Sequence, residues 1–156
     1  FGDNVRQQFC IGAGAVATPG VVAGLFDVHA SLCRMPIAEL LQFAIAQARG
    51  GITMRDFDSE VMQAVAAILQ RSPQCLAQYA STEDPTRLAR SGKTLHLPLV
   101  ADVLETLTHK GADLFYKGEI GQRLCEQVAS GGHLTRDDLL HYKSHQRAAM
   151  ETPYAR

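Results

Sequence analysis

No surplus of charge marks this chain. Its 15 Lys+Arg are matched by 16 Asp+Glu, for a net charge of −1 with His neutral. Such a balance gives no electrostatic footprint for nucleic acid or for an anionic membrane. No apolar run approaches the roughly 18 residues of a spanning helix, so no transmembrane segment and no membrane contact are expected. The opening residues Phe1 to Arg6 lack a basic region followed by an apolar stretch, so no signal peptide is expected there. An initiator Met is also missing, which leads us to expect that sequence upstream has been removed. No C-x-x-C pair occurs among Cys10, Cys33, Cys75 and Cys125. Their pairing is open in principle, but each sits among apolar neighbours, and buried free thiols are expected. No repeat, linker or low-complexity stretch divides the chain.

What is present is ordinary globular composition: 46% hydrophobic and 20% charged residues over 156 positions. That length can bury a core and form one domain. Helix signals dominate. Ala13 to Ala17 is small and apolar and predicts a short buried strand. Thr18-Pro19-Gly20 predicts an N-cap with Pro at the first helical position, followed by an inward face of Val21, Val22, Leu25, Phe26 and Val28 up to about Leu32. Pro36 opens a second helix, ended by Gly50-Gly51. A third is expected from Asp56 or Ser59 to the stop at Ser72-Pro73, with a turn of helix from Leu76 to Tyr79 and a loop from Ser81 to Gly92. A fourth runs from Pro98 to about His109, with Gly111 as its stop. Gly118 precedes a fifth that ends at Gly131-Gly132. Thr135 to Asp138 is a capping box with Asp in the place of Glu, starting a short sixth helix. Gln146 to Arg156 has no helical period, and at least one edge of the unit is expected to be cut. The expected whole is one mainly helical unit over residues 1–156: a strand at about 13–17, helices over about 19–142, and an extended tail over 143–156. Strand is expected nowhere else, except in that tail.

Candidate chemistry is sparse. Gly12-x-Gly14 precedes a helix, but the third glycine falls at Gly20, too late for G-x-G-x-x-G, and Pro19 removes an N–H that a phosphate needs. Close packing of backbone is the expected role of these glycines. His141 and His145 are four apart, as metal ligands on one helix face are. No Cys or carboxylate completes a site, so surface positions are expected for both. Asp137-Asp138 fits the first turn of a helix through its dipole. Cys33 and Cys125 lie on apolar faces without a placed base.

The order of short motifs is more specific. Gly14 to Leu25 (GAVATPGVVAGL) is similar to the "AVAVPGTVAGL" segment of the γ-glutamyltransferase family. Met35 to Leu41 resembles its "LPWAELL", Ala44 to Arg49 its "PAIxLAxxG", and Leu95 to Leu107 its "LxQPxLAxTLxxIA". Gly111 to Ile120 and Gly131 to Leu139 resemble "GxDxFYxGxIA" and "GGxLTxxDLxxY", the last completed by Tyr142. The blocks follow in family order over residues 12–142. Departures are local: Phe43 stands where the family has Pro, Gly50-Gly51-Ile52 where it has "EGF", and Ala148 where a Pro is usual.

The resemblance implies an N-terminal-nucleophile hydrolase with an αββα sandwich, of which this chain is the helical part of the large subunit. Family precursors cut themselves before a Thr whose new amine is its own general base. The Thr attacks a γ-glutamyl amide, and backbone N–H groups hold the oxyanion. That Thr lies in a Thr-Thr-His motif of the small subunit, and the Arg that grips the substrate carboxylate lies in an R-E-x-A-P motif upstream. Thr108-His109 belongs to the "TLxxIA" block and is rejected as nucleophile. No catalytic, substrate-binding or metal residue is therefore carried over, and no cofactor is implied. The implied partners are the small subunit, the remainder of the same precursor and a small γ-glutamyl substrate, with a periplasmic or extracellular setting. The expected function is scaffold of an enzyme that hydrolyses or transfers γ-glutamyl groups of glutathione or a related amide. The alternatives are a stand-alone helical binding module without catalysis, or an acylase or amidohydrolase acting on another amide.

Overall fold

A computed structural model of the chain describes residues 10–153, so expectations for Phe1 to Arg6 and for Tyr154 to Arg156 lie outside the described residues. More than half of the described residues are helical, as the periodicity predicts. The helices are α1 (Val21–Leu32), α2 (Ile37–Gly50), α3 (Asp56–Ala64), α4 (Ala66–Leu69), α5 (Pro73–Tyr79), α6 (Pro98–Lys110), α7 (Asp113–Tyr116), α8 (Glu119–Val128) and α9 (Arg136–Leu140). Two strands, β1 (Ile52–Thr53) and β2 (Thr94–Leu95), pair antiparallel with Ile52 opposite Leu95.

The centre of the fold is α2 laid along α6. β1 leaves the end of α2 and β2 leads into α6, so the two-residue pairing closes the ends of the helix pair. The N–H of Leu97 donates to the Ala48 carbonyl at 2.8 Å and continues that closure. Arg49 bridges the two helices on their outer side, reaching Asp102 at 2.8 Å and Glu105 at 2.6 Å. The two carboxylates hold the Arg49 guanidinium charged far above any working pH. One buried cluster, Met54, Ala89 and Leu95, sits beside the strands. A second, Tyr116, Val128, Leu134 and Leu139, gathers α7, α8, α9 and the start of α1.

Several expectations are corrected. Ala13–Ala15 forms a 3-10 turn, not a strand, because no other strand runs beside it among the described residues. Strand occurs instead at β1 and β2, inside the helical region. Helix α1 starts two residues later than predicted: Gly20, not Thr18, is its N-cap, and Pro19 lies before it. The third helix breaks at Val65 (φ −104°, ψ 16°) into α3 and α4. Ser72-Pro73 starts α5, the Ser72 hydroxyl accepting from the N–H of Cys75 at 3.1 Å. The four cysteines are free, but Cys10 and Cys33 are exposed and Cys75 and Cys125 only half-buried. Apolar neighbours in sequence do not make a buried site when the face they share has nothing packed on it. The same holds in α1, where Val22 and Ala23 pack on the core while Val21, Leu25 and Val28 are exposed.

Candidate functional site

The motifs that are scattered in sequence meet at one junction. Helix α1 begins at Gly20, which has no side chain to cap it. The missing partner comes from α7: the Tyr116 hydroxyl accepts from the N–H of Ala23 at 3.1 Å and donates to the Pro19 carbonyl at 2.7 Å. One of the orphan donors of the first helical turn is thereby satisfied from a residue more than ninety positions away. Burial pushes the Tyr116 hydroxyl up from its ordinary pKa, so it stays protonated and able to donate. Its ring is stacked on that of Tyr142, with centroids 5.4 Å apart and planes 8° from parallel. Gly20 faces the edge of this stack, and a Cβ there would lie 2.1 Å from the Tyr142 hydroxyl oxygen.

Arg136, in the first turn of α9, completes the junction. Its guanidinium donates to the Tyr116 carbonyl at 3.0 Å and to the Lys117 carbonyl. These are the last carbonyls of α7, which the helix cannot satisfy itself. Room for the guanidinium exists because position 121 is Gly: a Cβ would stand 2.4 Å from the Phe115 carbonyl oxygen and 2.6 Å from Arg136 Nη1. The α9 start is fixed by the box read in the sequence. Asp138 Oδ2 accepts from the N–H of Thr135 at 2.8 Å and from its hydroxyl at 2.6 Å, while the N–H of Asp138 donates to that hydroxyl oxygen at 3.2 Å. The Thr135 hydroxyl, then its N–H, holds the Asp138 carboxyl below the usual carboxylate range.

Beside the junction lies a cleft of about 400 Å³ whose walls include Asp27, Tyr116, Lys117, Tyr142 and Ser144. The Ser144 hydroxyl donates to the Asp27 carboxylate. Lys117 is paired with Asp113 at 2.9 Å. The arrangement joins the tail to α1 and holds polar groups in mutual contact; among the described residues no imidazole or amine is hydrogen-bonded to the Ser144 hydroxyl.

The other residues weighed in the sequence fall apart in space. His141 Nδ1 lies 3.1 Å from Asp137 Oδ1, and α9 ends at Leu140, so His141 and His145 do not share a helix. Among the described residues no group of three His, Cys, Asp or Glu side chains is placed to hold a metal. The Thr108 hydroxyl donates back along α6 to the Glu105 carbonyl at 2.7 Å. Cys33 is the exposed C-cap of α1. Gly14 packs against backbone, its Cβ position 3.1 Å from the Gly131 carbonyl oxygen, on the 3-10 turn and not on a strand. Sequence reasoning missed the Tyr116 hydroxyl and Arg136. The signal for the first was an uncapped glycine at a helix start, and for the second a cation in a first turn, where the dipole disfavours it.

A family model described as gamma-glutamyltranspeptidase matches residues 2–156. The chain belongs to the γ-glutamyltranspeptidase family. Among curated relatives of this family member, human glutathione hydrolase 5 proenzyme is 32% identical over 97% of the chain and 26% of its own length. The acylase ACY 1 proenzyme of Pseudomonas sp. (strain SE83) is 30% identical over 97% of the chain and 27% of its own length. Glutathione hydrolase 3 of Arabidopsis thaliana is 29% identical over 94% of the chain and 23% of its own length. The chain thus spans about a quarter of the length of the curated relatives it matches. The γ-glutamyltranspeptidase of Pseudomonas nitroreducens, solved in complex with L-DON, superposes with a TM-score of 0.70 at 32% identity, covering 85% of this chain and 38% of that one. The Helicobacter pylori enzyme shares the fold, with a TM-score of 0.76 over 85% of this chain and 38% of that one at 20% identity. The chain is therefore the helical part of the γ-glutamyltranspeptidase fold and a fragment of the large subunit.

Proposed function

We propose that the chain is the scaffold portion of an enzyme that hydrolyses or transfers γ-glutamyl groups, of glutathione or a related amide, through an N-terminal Thr outside residues 1–156. The observation that carries this reading is the family match over residues 2–156. The junction around Tyr116 is consistent with it. Its Tyr116 and Arg136 contacts hold one backbone segment against another, and the hydroxyls of Tyr116, Thr108 and Thr135 are committed to backbone or capping bonds. The role we assign to residues 1–156 is thus to fix helices around a site built elsewhere in the precursor, with the small subunit as partner. On this reading the isolated chain does not turn over substrate.

The relationship to an acylase proenzyme favours a second reading, in which the parent cleaves a different acyl amide. One experiment separates these. The whole gene that encodes this chain is expressed, with its coding sequence both upstream of Phe1 and downstream of Arg156, and the purified product is assayed for self-cleavage and for glutamate release from glutathione. Two chains and glutamate release are expected. Two chains that cleave an acyl amide but release no glutamate would select the acylase. A product that stays single and inert would overturn the enzyme reading and leave a helical binding module.

A further inference from the structure

Asp27 is the lone Asp, Glu, Lys or Arg of helix α1 and lies near the middle of its 12 residues. A carboxylate helps a helix when it lies in the first turn, at the positive end of the dipole. Asp27 lies beyond that turn, and Asp is among the weaker helix formers. The helix itself therefore gains nothing from a carboxylate here. What uses it comes from the far end of the chain. The Ser144 hydroxyl, 117 positions away, donates to the Asp27 carboxylate. Two residues before Ser144, Tyr142 stacks on Tyr116, whose hydroxyl is bonded to the start of α1. The tail is thus held to α1 at the first turn through the two tyrosines and near the middle through Asp27. Beyond Ser144 the hold ends. Positions 145–153 are exposed and carry no helix or strand, and among the described residues they make no hydrogen bond. The seat of Ser144 on Asp27 is where the chain leaves the helical body.

We propose that Asp27 is a positioning residue for self-cleavage of the precursor, acting through the Ser144 hydroxyl to fix where the downstream polypeptide departs. The proposal rests on the reading above, in which the Thr freed by that cleavage lies downstream of this chain. The cleavage is a hydrolysis: the peptide bond before the Thr breaks, and water supplies the oxygen of the new carboxylate and the hydrogen of the new amine. Its rate depends on alignment of the reacting groups, to which a displacement of about an ångström matters even when its cause is remote. A tail released from Asp27 samples departures that do not lead to that alignment. The rate then falls with the fraction of molecules in which Ser144 is seated.

The test is the rate of self-cleavage of the whole gene product, made by cell-free synthesis and followed on gels at a temperature where circular dichroism shows every variant folded. Asp27→Ala and Ser144→Ala are each expected to slow it about threefold to tenfold, the weight of one hydrogen bond. The double variant is expected to be no slower than either single one, because both remove the same contact. Ala is a better helix former than Asp, so a weakened α1 is not the source of the slowing. Asp27→Asn, whose side-chain carbonyl still accepts from the Ser144 hydroxyl, is expected to run near the wild-type rate. Ser144→Ala leaves α1 untouched and decides alone should Asp27→Ala not fold. Wild-type rates in both alanine variants overturn the proposal and leave the enzyme reading intact. Additive losses in the double variant overturn it too, as does an Asp27→Asn variant as slow as Asp27→Ala, which assigns the effect to charge. A wild-type precursor that stays single removes the enzyme reading and the proposal with it.

Discussion

Tyr116 lies flat on Tyr142, and through its hydroxyl it holds the first turn of a helix that starts at Gly20. A stack and a cap are thus delivered by one side chain. Changing Tyr116→Phe removes only the cap: the ring and its stacking remain, while the N–H of Ala23 loses its acceptor. The expected cost is about 1–2 kcal/mol, read as a lower denaturant midpoint with an unchanged slope in equilibrium unfolding of the chain.

Glycine positions on two helices should respond in opposite directions. At Gly121 a methyl group meets the Phe115 carbonyl and the Arg136 guanidinium. Overpacking of this kind costs about 1–3 kcal/mol, against a gain in helix propensity of about 1 kcal/mol, so Gly121→Ala is expected to lower the melting temperature. In the isolated chain Gly24→Ala has the propensity gain with no obstruction, and is expected to raise it. Thermal melts of the two variants side by side decide the matter.

Acid sensitivity should appear at the start of α9. The Asp138 carboxyl is held below its ordinary pKa by the Thr135 hydroxyl and then by the Thr135 N–H. Its contribution to stability is therefore fully present above the unfolded value of about 3.9. It is lost as pH falls through the lower folded value. Thr135→Ala should cost about 1 kcal/mol at neutral pH through loss of the cap. The variant should also show a shallower fall in stability below about pH 4, measured by urea unfolding across pH.

Thr108→Ala removes a hydroxyl already committed to the Glu105 carbonyl. Self-cleavage and glutamate release by the full precursor are expected to stay within about twofold of wild type, since back-bonded Thr in a helix contributes little to it. A loss of several orders of magnitude in a folded variant would make Thr108 part of the chemistry.

Legibility in the sequence followed the range of the interaction. The Thr135–Asp138 box, the Gly111 stop after α6 and the Gly51 stop after α2 rest on neighbours a few positions away, and all three stand in the structure. The break at Val65 did not show, because apolar residues keep a helical period across it. The β1–β2 pair was invisible because two residues are too short for an alternating pattern and the partner lies some forty positions off. Cys33 and the outer stripe of α1 read as core because their surroundings in sequence are apolar, and burial depends on what is packed above them. At the junction, the motif residues Tyr116 and Gly20 were picked out by family resemblance, but their mutual role needed three dimensions.

Arg136 is placed against the preference of its own helix, since a cation in a first turn opposes the helix dipole. It is tolerated because the Tyr116 and Lys117 carbonyls accept hydrogen bonds from its guanidinium. The α9 turn, five residues long, is thereby tied to the end of α7, and the space between them is granted by α8 at Gly121. Both α7 and α9 also pack on α8. In hydrogen exchange their amides should leave together, as a single cooperative unit with one opening free energy, while the α5 turn and the loop after it exchange on their own schedule.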